Sequence, residues 1–356
     1  MTMEKAIKPP PVKLGENGRN HAVDVFRYVC AVLVVSIHTH PFEEINYNAG
    51  FFASQIITRV AVPFFFAVAG YFYIGSLLAG TRVLWKYIKK LVFVYTFWSV
   101  FYFIISYYRY HRAEMSVGAF ITGRVIQDYF FRGSEYHLWF FPALIFSVLM
   151  AAWLKKLRLM KIFAYISPLL FAVGCLSLAY KNVAAQVPVL AGIFGWSEFT
   201  AFRRILLTGF PFFMTGYFLN AFKSKWEKLS NKKMLTMIFI CGAGFLLEIL
   251  FILLFLLPDD ITLTFMLYPL LFSLMIFLLN NPFPQGAGVS EGFRVTANVT
   301  FYMHPAFIIL FRFLGAKLFG VAVPNTIMFL AVCTAVGALG LAIYKIDSKF
   351  LNRLVA

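Results

Sequence analysis

The first long apolar stretch of the chain, HAVDVFRYVCAVLVVSIHTHP, contains Arg27 and His38. In a helix, residues eleven positions apart share one face, separated by about 20° around the axis and about 16 Å along it. An imidazole with a pKa near neutrality can act as a general base or carry a transferred group. Alternatively, Arg27 pairs with Asp24 or reaches lipid phosphate, and His38 caps the helix before Pro41. We take Arg27 and His38 as candidate catalytic residues.

Further polar and aromatic side chains stand at the ends of later apolar stretches. An arginine at the centre of a membrane helix costs about 2.5–3.5 kcal/mol, so ionisable residues retained there are candidates for function. Each has a structural alternative, such as an interfacial anchor for the arginine or an aromatic belt for the tryptophan. The candidate substrate-binding residues are Arg59, Glu135, His137, Trp139, Tyr302 and His304.

A basic cluster precedes the third apolar stretch, in the sequence TRVLWKYIKKL. Membrane topology alone would account for it, because positive residues collect in cytoplasmic loops. The functional alternative is a pocket for the phosphates of a cytoplasmic cofactor, since lysine binds phosphate as a point charge and arginine as a fork. The candidate cofactor-binding residues are Arg82, Lys86, Lys89 and Lys90.

The composition shows which elements must position these residues. Of 356 residues, 61% are hydrophobic and 13% are charged, whereas soluble domains carry about 25% charged residues. Repeated apolar windows of about 20 residues predict a lipid bilayer around most of the chain. The net charge of +17 does not indicate nucleic acid binding, because the basic residues lie in short loops, where membrane lipid is the natural partner.

The sequence therefore predicts an all-α, polytopic transmembrane bundle of about ten spans. Lysine and arginine concentrate at both termini and in alternate loops, whereas the other loops carry Glu43, Glu44, Asp259 and Asp260. By the positive-inside rule, both termini are expected in the cytoplasm. The predicted spans lie near 22–41, 55–76, 89–109, 137–154, 161–180, 203–222, 234–257, 261–280, 296–316 and 323–346.

The chain is expected to divide into three regions: a flexible polar N-terminus at 1–20, a transmembrane domain at 21–350 and a cytoplasmic end at 351–356. The outer segment 110–136 contains charged residues between aromatic ones, which predicts an amphipathic interfacial helix or a lid. The Pro- and Gly-rich residues at 281–293 predict an irregular cytoplasmic loop.

Several catalytic motifs are missing from the sequence. It has no G-x-S-x-G elbow, no H-E-x-x-H motif, no P-loop and no G-x-G-x-x-G motif. The four cysteines have neither metal-ligand spacing nor a disulfide pattern, and no metal is expected. Any catalysis is therefore expected inside the bundle.

Four motifs together resemble the integral-membrane acyltransferase-3 family. They are Arg27-x10-His38 and the stretches VAVPFFFAVAGYF, HLWFFPALI and TFYMHPAF. The resemblance implies a bacterial plasma-membrane enzyme that moves an acyl group, often acetyl from acetyl-CoA, to a hydroxyl or amine at the outer face, such as that of a cell-envelope glycan. It implies an essential His38 supported by Arg27. One departure is that the family's R-x-x-R cofactor motif stands here as Lys86-x-x-Lys89, which keeps the charge and loses the fork.

The region FRYVCAVLVVSIHTHPF is also similar to the membrane half of vancomycin-resistance serine racemases. The racemases of that group carry a membrane bundle fused to a cytoplasmic racemase domain that uses pyridoxal phosphate. The resemblance implies that the bundle supplies L-serine. The alternative function is therefore transport of L-serine or a similar small solute. Arg27, His38 and His304 would then line the polar pathway.

Overall fold

A computed structural model describes residues 20–78, 80–111, 116–121, 125–195, 199–258, 260–282, 287–346, 348, 350–351 and 354. All regular secondary structure within these ranges is helical. Six of the described helices are long and apolar enough to cross a membrane: His21–Thr39, Tyr47–Tyr73, Thr81–Tyr108, Asn231–Leu256, Val289–Phe319 and Asn325–Ile346. The predicted all-α membrane bundle is confirmed, while the count of ten spans and the cytoplasmic termini stay predictions.

The helices are numbered here in chain order, and several run on through π-helical turns. The α-helices are α1 His21–Thr39, α2 Tyr47–Phe51, α3 Ala61–Leu78, α4 Thr81–His111, α5 Val117–Phe120, α6 Phe140–Lys156, α7 Met160–Leu176, α8 Lys181–Ala184, α9 Pro188–Phe194, α10 Phe199–Phe202, α11 Phe210–Ala221, α12 Lys223–Trp226, α13 Asn231–Phe251, α14 Leu267–Asn280, α15 Ala287–Leu314 and α16 Asn325–Ile346. The π-helical turns are Phe52–Ile56, Asp128–Arg132, Arg203–Gly209, Ile252–Leu256 and Gly315–Phe319.

Helices α3 and α11 pack backbone against backbone in the core. A Cβ atom at Gly70 would overlap the carbonyl oxygen of Phe213, and one at Gly216 would overlap the carbonyl oxygen of Ala67. Small residues at such positions let two membrane helices approach closely and gain dispersion contacts. Helix α1 packs against α3, α15 and α16.

The start of α1 is fixed by its N-cap residue. The side-chain oxygen of Asn20 accepts a hydrogen bond from the Val23 amide at 3.1 Å, which satisfies a helix donor that has no partner within the helix. The Asn20 amide group donates to the carbonyl oxygens of Leu278 at 3.1 Å and Leu279 at 3.4 Å. The same side chain therefore ties the beginning of α1 to the end of α14.

The structure corrects the beginning of the fourth predicted span. Helix α6 begins at Phe140, so His137 and Trp139 lie in the turn before it rather than inside the span 137–154. Gly133 makes this turn possible with a φ of 86°, and a Cβ atom there would overlap the backbone of Trp139. A left-handed residue at such a close approach is a position for glycine.

The predicted irregular loop at 281–293 is wrong for its second half. Helix α15 begins at Ala287, and residues 283–286 lie outside the described part. Glu291 and Arg294 form an i,i+3 ion pair with 3.0 Å between the Arg294 Nη2 and Glu291 Oε1 atoms, and such pairs support a helix. The prolines and glycines of this segment therefore do not prevent the helix, and Gly288 and Gly292 lie within its first turns.

The structure covers only part of the predicted outer segment 110–136 and of the two chain ends. In the segment 110–136 the described residues are helical at 110–111, 117–121 and 125–132, whereas Ser116 and residues 133–136 are not, and Tyr129 packs on Tyr95 of α4 with ring centroids 4.8 Å apart. Arg112, Glu114, Arg124 and Asp259, which the sequence analysis placed in outer loops, lie outside the described residues, as do residues 1–19 and most of the predicted end 351–356.

Candidate functional site

Three histidine rings and one tyrosine ring come together near the end of α1. His38 stacks on His304 of α15, with ring centroids 5.4 Å apart and planes inclined by 15°. His137, from the turn before α6, meets His304 edge-on at 5.1 Å. The Tyr136 ring lies 4.2 Å from the His38 ring. Three separate elements therefore build this histidine cluster, which we define as His38, His137 and His304 with Tyr136.

Pro305 sets the hydrogen bonding of His304. A proline has no amide hydrogen, so the Phe301 carbonyl loses its helical partner at position 305. The His304 Nδ1 atom lies 2.9 Å from this carbonyl oxygen and 3.0 Å from that of Thr300. Because a carbonyl only accepts, Nδ1 carries the proton, and in the neutral ring Nε2 keeps a lone pair. The buried Nε2 atom has no hydrogen-bond partner among the described residues.

His137 is buried without a good hydrogen bond. Its side chain is 4% exposed, and neither ring nitrogen has a partner of normal geometry in the described part of the chain. The backbone of Tyr302 lies close enough to act electrostatically on its ring. A buried polar group without a partner costs about 1–3 kcal/mol, so a polar group bound beside His137 would recover this energy.

A cavity of about 300 Å³ opens beside the histidine cluster. We call it the His38 cavity. A second cavity of about 440 Å³, the adjoining cavity, shares Arg59, Asp260 and Thr262 with it and adds His40 and Glu43. The polar and aromatic residues that line the His38 cavity are His38, Arg59, Tyr136, His137, Trp139, Phe140, Arg203, Arg204, Thr208, Asp260, Thr262 and Phe301.

Arg59 is held in place by the helical turn before it and by the loop between α13 and α14. Its Nε atom donates to the Gln55 carbonyl oxygen at 2.7 Å, and an Nη atom donates to the Gln55 side chain. The other Nη atom donates to the Thr262 hydroxyl at 3.2 Å. Thr262 in turn donates from its amide and its hydroxyl to the Asp260 carboxylate. This network orients the guanidinium at the boundary of the two cavities.

Arg203 and Arg204 were missed as site residues by the sequence analysis. They begin the π-helical turn before α11 and line the His38 cavity. The Arg204 guanidinium lies over the Trp139 ring, 5.5 Å from its centroid. The sequence could have identified them, because both arginines fall inside the predicted span 203–222, where a charged side chain is costly.

Arg27 lies towards the opposite end of α1. Its Nη1 atom is 3.0 Å from the Asp24 carboxylate, which also accepts a 2.7 Å hydrogen bond from the Ser290 hydroxyl. The guanidinium lies 5.8 Å from the Phe72 ring centroid of α3. Arg27 thus packs against α3, whereas His38 stacks on α15, and Arg27 lines neither the His38 cavity nor the adjoining cavity.

The predicted cofactor-binding group lies inside a helix rather than in the loop before it. Gly80, with a φ of 109°, turns the chain and α4 begins at Thr81. All four basic side chains of this group are exposed, and three of them share one helix face by their i, i+4, i+7 spacing. Arg294 of α15 lies close enough to act electrostatically on both Lys90 and Arg27. The four residues are Arg82, Lys86, Lys89 and Lys90.

The predicted substrate-binding residues divide into two sets. Arg59, His137 and Trp139 line the His38 cavity, and His304 stacks on His38. Tyr302 instead turns its ring into an aromatic cluster, 5.1 Å from the Trp98 centroid and 6.0 Å from that of Phe141. Glu135 lines neither cavity, and its carbonyl accepts from the Leu138 amide at 2.9 Å. Within the described residues, no three His, Cys, Asp or Glu side chains are placed to hold a metal ion.

Comparisons with known proteins agree with this architecture. A family model described as an acyltransferase domain matches residues 20–345. Two amino-acid racemases of Enterococcus faecalis are 29% and 30% identical over 219 and 240 residues, covering 60% and 64% of this chain and 30% and 33% of the relatives. A serine/alanine racemase of Enterococcus gallinarum is 28% identical over 178 residues, which is 48% of this chain and 25% of the relative. No solved structure matches.

The chain spans about a third of the length of these curated relatives, so the resemblance is to one part of each. The family model, in contrast, matches the chain from the N-cap of α1 to the last turn of α16. Its match includes all six helices that are long and apolar enough to cross a membrane. The chain is a multi-pass membrane protein that belongs to the acyltransferase-3 family.

Proposed function

We propose that this protein transfers an acyl group to a hydroxyl or amine of an acceptor bound in the His38 cavity. The observation that carries the proposal is the position of His38, whose ring forms part of the cavity wall and is stacked on His304. A general base must lie within hydrogen-bond reach of the proton that it removes. An acceptor inside a cavity of about 300 Å³ would place its reacting group beside this ring.

The proposed donor is acyl-CoA, probed most simply as acetyl-CoA. Its thioester would supply the activated acyl group. The residues near Arg27 suit an anionic donor, because Arg27, Lys90 and Arg294 supply three positive charges against the two carboxylates of Asp24 and Glu291. The buried Arg294 Nε atom has no partner among the described residues. Arg82, Lys86 and Lys89 add exposed positive charge on the same end of α4, as phosphate binding requires.

His38 would remove the proton from the acceptor while its oxygen or nitrogen attacks the acyl carbon. The imidazole must be neutral to accept this proton. His304 is a positioning residue, since its ring is fixed by two backbone carbonyls and presents a flat face to His38. After transfer, the proton on His38 would leave with the thiol product.

The predicted topology would place the His38 cavity towards the outer face and Arg27 towards the cytoplasm. The two side chains are then separated by about 16 Å of helix, which is about half of a 30 Å hydrocarbon core. A donor from the cytoplasm and an acceptor from the cell envelope would approach His38 from opposite sides. The bacterial origin of the relatives agrees with the expected bacterial plasma membrane.

The test is transfer of a radiolabelled acetyl group from acetyl-CoA by purified protein, with membrane extract as the source of acceptors. We expect His38→Ala to abolish transfer. His21→Gln is the matched control, because it changes a histidine at the other end of α1 that lines neither cavity. Transfer at wild-type rate by a folded His38→Ala variant would contradict the proposal.

Donor binding is measured separately by calorimetry with acetyl-CoA. We expect binding to weaken in Lys86→Ala/Lys89→Ala and in Arg294→Ala, and to persist in His38→Ala. An unchanged affinity in the basic-residue variants would contradict this donor site. Binding that is absent from the folded wild-type protein would contradict acyl-CoA as the donor.

A second candidate function is transport of a small polar solute such as L-serine. The observation that favours it is the similarity to proteins named amino-acid racemase and serine/alanine racemase, which would need a supply of amino acid. The expected result is L-serine uptake into proteoliposomes that is lost in Arg27, His38 and His304 variants. Uptake no greater than that of empty vesicles would contradict this alternative.

A further inference from the structure

Among the described residues that line the His38 cavity, positive side chains outnumber negative ones. Arg59, Arg203 and Arg204 line it, and Asp260 is the one carboxylate among its described lining residues. The Asp260 carboxylate accepts two hydrogen bonds from Thr262. With neutral histidines, the described wall therefore carries a net charge of about +2 next to the proposed general base.

Two of these arginines have no hydrogen-bonding or ion-pair partner among the described residues. Arg203 and Arg204 form no hydrogen bond or ion pair with any residue in the described part of the chain, and both are half-buried. The carboxylate of Asp260 acts on them electrostatically without direct contact. Guanidinium groups withdrawn from water without partners are costly, and a bound anion would compensate for that cost.

Contacts with neighbouring side chains hold two of the three arginines in the wall of the cavity. Arg204 lies over the Trp139 ring, and the Trp139 ring packs 6.0 Å from the ring of the fully buried Phe66. Arg59 is fixed from the other side through Gln55 and Thr262. Side chains from two separate elements therefore converge on one cavity of about 300 Å³, a volume at the lower end for small-molecule sites.

We propose that Arg59, Arg203 and Arg204 form an oxyanion-binding site in the His38 cavity, so that the acceptor carries a carboxylate or a phosphate group. This inference rests on the proposed function, because it names the chemical class of the molecule that receives the acyl group. The planar fork of arginine matches the two oxygens of a carboxylate or phosphate. The hydroxyl or amine to be acylated would lie at the opposite wall, beside His38.

The experiment measures thermal stabilisation of the detergent-purified full chain by sodium acetate, inorganic phosphate and sodium chloride at equal ionic strength. A further arm adds phosphatidylglycerol to the micelles, which separates a lipid headgroup from a free anion. We expect at least one oxyanion to stabilise the wild-type protein beyond chloride. Stabilisation by acetate alone, by phosphate alone or by the lipid alone identifies the source of the oxyanion.

Arg203→Gln/Arg204→Gln is the decisive variant, and Arg312→Gln is its matched control. Arg312 is an exposed arginine near the end of α15 and lines neither cavity. A hydrogen bond to a charged group contributes enough that the apparent Kd for the oxyanion should rise about tenfold or more in the double variant. The Arg312→Gln protein should bind the oxyanion with wild-type affinity.

Equal oxyanion stabilisation of the double variant and the wild-type protein would overturn the inference, as would no stabilisation of the wild-type protein beyond chloride. His38→Ala separates this inference from the proposed function, because that variant should lose acyl transfer and keep oxyanion binding. Oxyanion binding in a wild-type protein that transfers no acyl group would support the site and contradict the acyltransferase proposal.

Discussion

The His38 ring lies almost parallel to the His304 ring, with 5.4 Å between their centroids and 15° between their planes. The orientation of His304 follows from the backbone, because its Nδ1 atom is bound to the carbonyl oxygens of Thr300 and Phe301. The proline at 305 frees the second of these carbonyls. A feature of the α15 backbone therefore determines how the His38 ring faces the cavity.

Replacing His304 by phenylalanine tests this positioning. The His304→Phe ring keeps the stacking surface and loses the bond that fixes the ring plane. We expect kcat for acyl transfer to fall by up to about 10²-fold, since small displacements of a catalytic group have effects of that size, while KM for the donor stays near its wild-type value. Steady-state kinetics with labelled acetyl-CoA measures both constants.

Tyr302→Phe is the control for that variant. It removes a buried hydroxyl two residues away, on the side of α15 that faces the aromatic cluster. We expect its kcat to match the wild-type value. A His304→Phe protein as active as Tyr302→Phe would show that His304 only fills space.

Asp24 stabilises the other polar cluster of α1. We expect Asp24→Ala to lower the free energy of unfolding by about 3 kcal/mol, because it leaves the Arg27 guanidinium without its carboxylate in a partly buried position. Thermal melting in detergent, followed by circular dichroism, measures the change. The Asp24→Ala/Arg27→Ala double variant should be more stable than Asp24→Ala, and a less stable double variant would contradict this account.

The contact between α3 and α11 should not tolerate a methyl group. Gly70→Ala and Gly216→Ala each force a Cβ atom into a backbone carbonyl of the neighbouring helix. Overpacking typically costs 1–3 kcal/mol, and a rigid backbone neighbour places the expected cost at about 3 kcal/mol. Gly192→Ala in α9, where a Cβ atom would meet nothing within 4 Å, should melt at the wild-type temperature. The prediction fails if all three variants melt together.

Glu44 should make stability depend on pH. The Thr326 amide donates to its carboxylate at 2.7 Å, and this hydrogen bond lowers the pKa of Glu44 below its ordinary value of 4.5. Because the folded-state pKa is the lower one, the stabilisation is present above the pKa of the unfolded chain and is lost as pH falls through the folded-state pKa. Glu44→Gln should therefore melt below wild type at neutral pH.

Melting temperatures from neutral pH down to about pH 3 measure this difference between Glu44→Gln and wild type. The two curves should converge at the acidic end, where the wild-type carboxyl is protonated. Glu227→Gln is the control, because among the described residues the Glu227 carboxylate forms a long ion pair of 4.0 Å with Lys223 and no hydrogen bond to a backbone amide. A constant difference between Glu44→Gln and wild type at every pH would contradict the predicted role of the charge.

The sequence predicted α1 closely because its signals are local. The predicted span 22–41 is observed as His21–Thr39, and the shared face of Arg27 and His38 follows from helix geometry alone. The α15 start at Ala287 was missed because an apolar window does not recognise a polar first turn that is held by ion pairs and by packing against α1. Tertiary contacts outweighed the local turn signal there.

The residues that line the His38 cavity were harder to predict than the helices that carry them. His137 and Trp139 reach the His38 cavity from a turn whose path depends on Gly133, and Arg203 and Arg204 reach it through a π-helical turn. Such a turn shifts the side-chain directions away from a regular helical period. Sequence spacing could therefore identify charged residues at span ends and could not say which of them would meet.

The glycine contact between α3 and α11 also limits where molecules can travel through the protein. A gap that excludes even a methyl group at Gly70 and Gly216 closes that seam to water, to protons carried by water and to any acyl chain. Water, protons or an acyl chain passing between the two ends of the bundle would have to take another route. Polar side chains already stand towards both ends of α1, around Arg27 and around His38.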